Sequence, residues 1–188
     1  VPEKFEPNRV MEALNAHLSQ TAISVLDAYD VPEDTHARFS ATGRRYLYRI
    51  LARRQPPAID AGRVWHHKQP LDANAMQAGA NVLIGQHDFN SFRAAQCQAE
   101  SSIRTLDILQ IEQVDAEIHL HVEARSFLHH QVRNIAGTLA LVGTGKWQPD
   151  DVKAALEAAD RSAAGPTAPP HGLYLTDVFY PAGIGKRV

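Results

Sequence analysis

The chain has 188 residues, with 44% hydrophobic and 21% charged residues, ordinary globular proportions for one large domain or two small ones sharing a sheet. No apolar run approaches the length of a membrane span, and a single cysteine, Cys97, excludes an internal disulfide framework and fits a reducing, cytoplasmic setting. Its net charge of −2 hides an asymmetry: Arg38, Arg44, Arg45, Arg49, Arg53 and Arg54 fall in one window without an acid, and Arg125, Arg133 and Lys146 in a second. These windows hold nine of the 19 basic residues, so one face of a nearly neutral molecule could meet a polyanion, unless the arginines are paired in space.

Taken in order, the spacing of Val10, Leu14 and Leu18 predicts a helix over Pro7 to Gln20, and Ala22 to Asp30 reads as a strand. VPEKFEPNRVMEAL reads as the interior of something longer, so the start of the natural protein is expected to be missing. Tyr46, Tyr48 and Ile50 alternate with Leu47, Arg49 and Leu51 in a strand that Gln55-Pro56-Pro57 breaks. Tyr46 there is either a core residue or an aromatic platform for a nucleobase with arginines beside it to hold phosphates. Arg63 to His67 is a short strand, and Asp72 caps a helix through Met76, Ala80 and Leu83. Gly85 to Ser102 has no period and reads as a long functional loop.

Ile103 to Val114 and Glu117 to Arg125 form a hairpin around Asp115-Ala116, with Ile118, Leu120, Val122 and Ala124 inward and His119, His121, Glu123 and Arg125 outward. From Ala124 to Gly143 the apolar residues Leu128, Val132, Ile135, Leu139 and Val142 mark one face of a helix. Its first two turns are expected to carry His129, His130, Arg133 and Asn134. A half-buried guanidinium at Arg133 needs a carboxylate or phosphate partner, or a structural salt bridge. A helix over Pro149 to Asp160, a Pro/Ala/Gly-rich connection over Arg161 to Gly172 and a strand from Leu173 to Tyr180 complete the chain. The pattern is α+β: a mixed or antiparallel sheet with helices packed on one face, divided as 1–70 and 71–188. Ten histidines are present, but no carboxylate or cysteine stands at a familiar ligand spacing, and no metal site is expected. Asp60-Ala61-Gly62 reads as an ordinary turn.

Four stretches together are more specific than their parts: HARFSATGRRYLYRI, GQHDFNSFRAAQCQ, FLHHQVRNIAGTLALVG and APPHGLYLTDVFYP. In this order and spacing the chain resembles the bacterial tRNA pseudouridine synthase A family over essentially its whole length. The resemblance implies a cofactor-free isomerase, with neither metal nor membrane involved. The enzyme would be a homodimer that binds tRNA and flips uridines out of the 3′ side of the anticodon stem-loop. It implies that Tyr46 stacks on the target base, that Arg133 pairs with the catalytic aspartate, and that Leu173 lines the uracil pocket. Arg44 and Arg45 would meet the RNA backbone. The family's aspartate lies in a GRTDAG-type motif that nothing here matches, and Asp60-Ala61-Gly62 follows the tyrosine strand instead of preceding it. The chain alone is therefore expected to be inactive. A non-catalytic RNA-binding module is the competing reading, and a histidine-based metalloenzyme a more distant one.

Overall fold

The computed structural model describes residues 5–184. Two compact units emerge: one comprises the described residues up to Ala41 together with those from Tyr180 onward, the other is Thr42–Phe179. The expected boundary near residue 70 falls inside the second unit.

In the first unit, α1 (Pro7–Leu18) starts on a proline, whose missing N–H costs nothing in a first helical turn. The strand expected over Ala22 to Asp30 does not form: Ile23 and Leu26 are 61% and 88% exposed, and no strand pairs with the segment. The segment is tied to α1 by the Asn15 amide, which donates to the Val25 carbonyl and accepts from the Val25 N–H, both at 2.8 Å. A β-branched, aromatic composition favours a strand only where a partner strand and a covering face exist.

The second unit is built on a mixed six-stranded sheet. Its elements are β1 (Gly43–Ala52), β2 (Trp65–His67), α2 (Ala73–Asn81), β3 (Gly85–Asp88), β4 (Ile103–Val114), β5 (Glu117–Ala124), α3 (Gln131–Gly143), α4 (Pro149–Glu157) and β6 (Leu173–Phe179). The order is β2-β1-β5-β4-β3, with β6 also on β1. One edge of β1 takes β5 antiparallel; the other is shared, β6 pairing Gly43 to Tyr48 and β2 running parallel to Ile50 to Ala52. Sharing that edge brings the start of β6 beside the middle of β1.

Alternation along β5 is as expected: Ile118, Leu120, Val122 and Ala124 are fully buried, opposite Ile50, Tyr48, Tyr46 and Arg44 of β1. This face packs against Met76 and Ala80 of α2, Ile135 and Leu139 of α3, and Val152 and Leu156 of α4. Full burial of each Val, Leu, Ile or Met side chain among them contributes about 1.5–3 kcal/mol. Asp72 caps α2 by accepting from the Ala75 N–H at 3.0 Å, and Gln148 with Asp151 form a capping box on α4. No helix among the described residues is long and apolar enough to cross a membrane.

Two expected boundaries shift. The helix read from Ala124 starts only at Gln131, because Ala124 still pairs with Arg44 and because His130 sits in the left-handed region at φ 62°. That conformation ends helical propagation toward the N-terminus and costs a non-glycine residue about 1–3 kcal/mol. His129 therefore lies outside the helix. Second, Gly85 to Asp88, read as loop, pairs with Ile103 to Leu106 as an edge strand. A polar, four-residue edge strand leaves little periodic signal.

Candidate active site

Strand periodicity puts Arg44, Tyr46 and Tyr48 on the helix-covered face of β1 and Arg45, Leu47 and Arg49 on the other. Tyr46 is half-buried and meets Phe127 edge-on, with ring centroids 5.1 Å apart. Tyr48 is fully buried and donates its hydroxyl to the Pro169 carbonyl at 2.7 Å. Leu173, at the start of β6, stands opposite Tyr48 in the ladder and packs on the core.

Arg133 lies in the first turn of α3. Its Nε donates to the Ala168 carbonyl at 2.7 Å, while its own carbonyl accepts from the Ala168 N–H at 3.1 Å. Burial pushes the Tyr48 phenol well above the ordinary tyrosine range, and the Arg133 charge pulls it partly back, which places the guanidinium within electrostatic reach of that ring. Burial, then Arg133 and His129, hold His130 below the usual histidine range, so it stays neutral more readily. Among the described residues no carboxylate lies within ion-pair distance of Arg133, and the first turn of α3 contains no acid. A guanidinium beside the positive end of a helix dipole favours an anion and would keep a carboxylate ionised.

The strap carrying Ala168 and Pro169 is clamped to α3. Arg161 donates to the Gly165 carbonyl at 2.9 Å, to Thr167 Oγ1 at 3.0 Å and to Asn134 Oδ1 at 3.2 Å. Asn134 Oδ1 also accepts from Thr167 Oγ1 at 2.6 Å, and its Nδ2 donates to the Phe92 carbonyl at 2.8 Å. Thr138 Oγ1 accepts from the Gly165 N–H at 3.0 Å. Gly137 lets the strap approach: a Cβ there would stand 1.8 Å from the Pro166 carbonyl oxygen. Asn134 was expected only as part of the polar edge of α3, and Arg161 and Thr167 were not singled out from sequence. The available signal was a proline-rich connection whose backbone groups must find partners somewhere.

Of the residues the resemblance pointed to, Tyr46, Arg133, Leu173 and Arg44 share the helix-covered side, Arg44 donating to the Arg125 carbonyl at 2.6 Å. Arg45 is not brought to them. It lies on the opposite face, paired with Glu123 at 2.7 Å and with Asp177 at 3.4 Å. Arg49 is likewise held by Glu117 at 2.8 Å and Asp60 at 3.5 Å, while the Asp60 turn is closed by the Arg63 N–H donating to the Asp60 carbonyl at 2.9 Å.

The family model for tRNA pseudouridine synthase matches residues 80–181. The tRNA pseudouridine synthase A of Caulobacter sp. (strain K31) is 62% identical over 171 residues, covering 91% of this chain and 69% of that protein. That of Rhodospirillum rubrum is 58% identical over 181 residues, 96% of this chain and 65% of the relative. That of Ruegeria sp. (strain TM1040) is 55% identical over 183 residues, 95% and 71%. The chain belongs to the tRNA pseudouridine synthase family. It spans about two thirds of the length of these relatives. The family match runs through β4, β5, α3, the strap and β6, so Arg133 and Leu173 lie inside it, while Tyr46 lies within the longer alignments to the curated synthases.

Proposed function

We propose that this chain supplies the base-stacking and carboxylate-holding side of a cytoplasmic, homodimeric tRNA synthase that converts uridine to pseudouridine on the 3′ side of the anticodon stem-loop. The supporting observation is Arg133: fixed by Ala168 in the first turn of α3, next to Tyr48, and without a carboxylate partner among the described residues. An aspartate delivered to that guanidinium stays ionised and nucleophilic. Tyr46 offers its ring to the flipped base, and Leu173 gives the pocket an apolar wall. In the isomerisation the bond from C1′ to N1 breaks, the uracil turns, a bond from C1′ to C5 forms, the C5 proton leaves to solvent and N1 takes up a proton, so that the product is an isomer of the substrate.

The 188 residues contain no GRTDAG-type segment. By themselves they are therefore expected to bind tRNA without turning it over. Tritium release from C5-labelled uridine in tRNA tests both parts of the proposal. The isolated chain should release none. In a protein that joins it to a segment carrying the aspartate, Arg133→Ala and Tyr46→Ala should each lower turnover by roughly 10²–10⁴-fold while tRNA binding changes only a few-fold. Near-normal turnover in either variant removes the role assigned to that residue, and release by the isolated chain removes the need for the missing aspartate.

A further inference from the structure

On the face of the sheet turned away from the helices, β4 and β5 bring Glu112, His119 and His121 together. His119 and His121 are two residues apart on β5 and so share that face, and Glu112 stands directly opposite His119 in the ladder. One donor atom from each of the three lies within 4.8 Å of the other two. Glu112 Oε2 and His121 Nε2 are already 3.1 Å apart. Metal–nitrogen and metal–oxygen bonds near 2.1 Å put the donors of a tetrahedral site about 3.4 Å from one another. Closing the set requires roughly an ångström of side-chain movement, and the Glu112 side chain, 52% exposed, has room for it. His119 is oriented beforehand: its Nε2 meets Glu117 Oε2 at 2.8 Å, and Arg49 grips both Glu117 oxygens at 2.8 and 2.9 Å. A carboxylate on one ring nitrogen fixes an imidazole that ligates through the other, so His119 would bind the ion through Nδ1 and keep Glu117.

We propose that Glu112, His119 and His121 bind one borderline divalent transition ion of the zinc class across the β4–β5 hairpin, with water completing the coordination. Two imidazoles and one carboxylate suit zinc, cobalt(II) or nickel; calcium and magnesium require shells made of oxygen. The histidine spacing on β5 is visible in the sequence, but the third ligand comes from the neighbouring strand. The site occupies the face opposite Tyr46 and Arg133 and does not depend on the catalytic reading.

Calorimetric titration of the metal-free chain with zinc, and with cobalt(II) followed by its visible absorption, tests the proposal. One ion per chain is expected, with tetrahedral-type cobalt absorption. His119→Ala and His121→Ala should each weaken binding tenfold or more, and Glu112→Gln, an exposed change that leaves the fold intact, several-fold. His66→Ala and His129→Ala should leave it unchanged. Absence of stoichiometric binding overturns the proposal, as does affinity that is unchanged in the folded Glu112→Gln and His121→Ala variants or is lost in His66→Ala or His129→Ala.

Discussion

Arg45 and Arg133 show how position decides what an arginine does. Arg45 has two acids within ion-pair distance on an open sheet face, whereas Arg133 is met by a carbonyl and a helix N-terminus. The same principle bears on Cys97, which packs at the margin of the core between charged neighbours. Burial alone would raise its thiol pKa. Backbone hydrogen bonds from Ala99 and His129 and the charges of Arg93 and Arg104 outweigh that effect, and the thiol lies below the ordinary cysteine range. A lower pKa means more thiolate at neutral pH. The pH profile of iodoacetamide alkylation should therefore inflect below that of a free cysteine, and Arg93→Gln should move the inflection upward. An inflection at or above the free-thiol value, about 8.5, would contradict this balance of effects.

At the scale of elements, α3 organises the second unit because it is packed on nearly every side. Eleven of its residues are buried, including the polar Gln131, Asn134 and Thr138. The polar ones are tolerated because most of their groups have partners, those of Asn134 and Thr138 being the strap and the Phe92 carbonyl. Gly137→Ala drives a methyl into the Pro166 carbonyl and should destabilise by about 3 kcal/mol, or push the strap away from Arg133. Asn134→Ala leaves the Phe92 carbonyl and two donors without their partner and should cost about 2–4 kcal/mol. Urea unfolding of both variants provides the measurement; losses under 1 kcal/mol in each would mean that the strap is not held by α3.

Over the whole molecule, the arginine-rich window that suggested a polyanion proves to be two kinds of surface. Arg45 and Arg49 are committed to Glu123, Asp177, Glu117 and Asp60, so the solvated, charge-paired reading holds for that face of β1. The helix-covered side, with Arg44 and Arg133, is the side we propose for tRNA. Affinity of the chain for tRNA should fall linearly on a log–log plot against salt. Arg44→Ala should reduce the slope by about one, and Arg45→Ala should leave it nearly unchanged. Equal effects of the two substitutions would place the RNA across both faces. Surface pairs such as Arg45–Asp177 are worth at most about 1 kcal/mol, so neither change should unfold the protein.

Local pattern alone was enough for the hairpin of β4 and β5, the tyrosine strand, the Asp72 cap and the two C-terminal elements, since period-2 alternation and capping chemistry are written in neighbouring residues. The four stretches resembling the synthase family are what propose Tyr46, Arg133 and Leu173 as site residues, and they say nothing of their surroundings. Three matters needed the tertiary structure. A strand over residues 22–30 would have needed a partner strand, and among the described residues none pairs with it. The start of α3 was set by the left-handed His130, which spacing cannot reveal. Pairings between residues far apart in sequence, Arg161 with Asn134, Arg45 with Glu123 and Arg49 with Glu117, exist only once the chain has closed. A sequence prescribes which side chains want partners; only the fold, by bringing distant strands within hydrogen-bond reach, decides which partners they get.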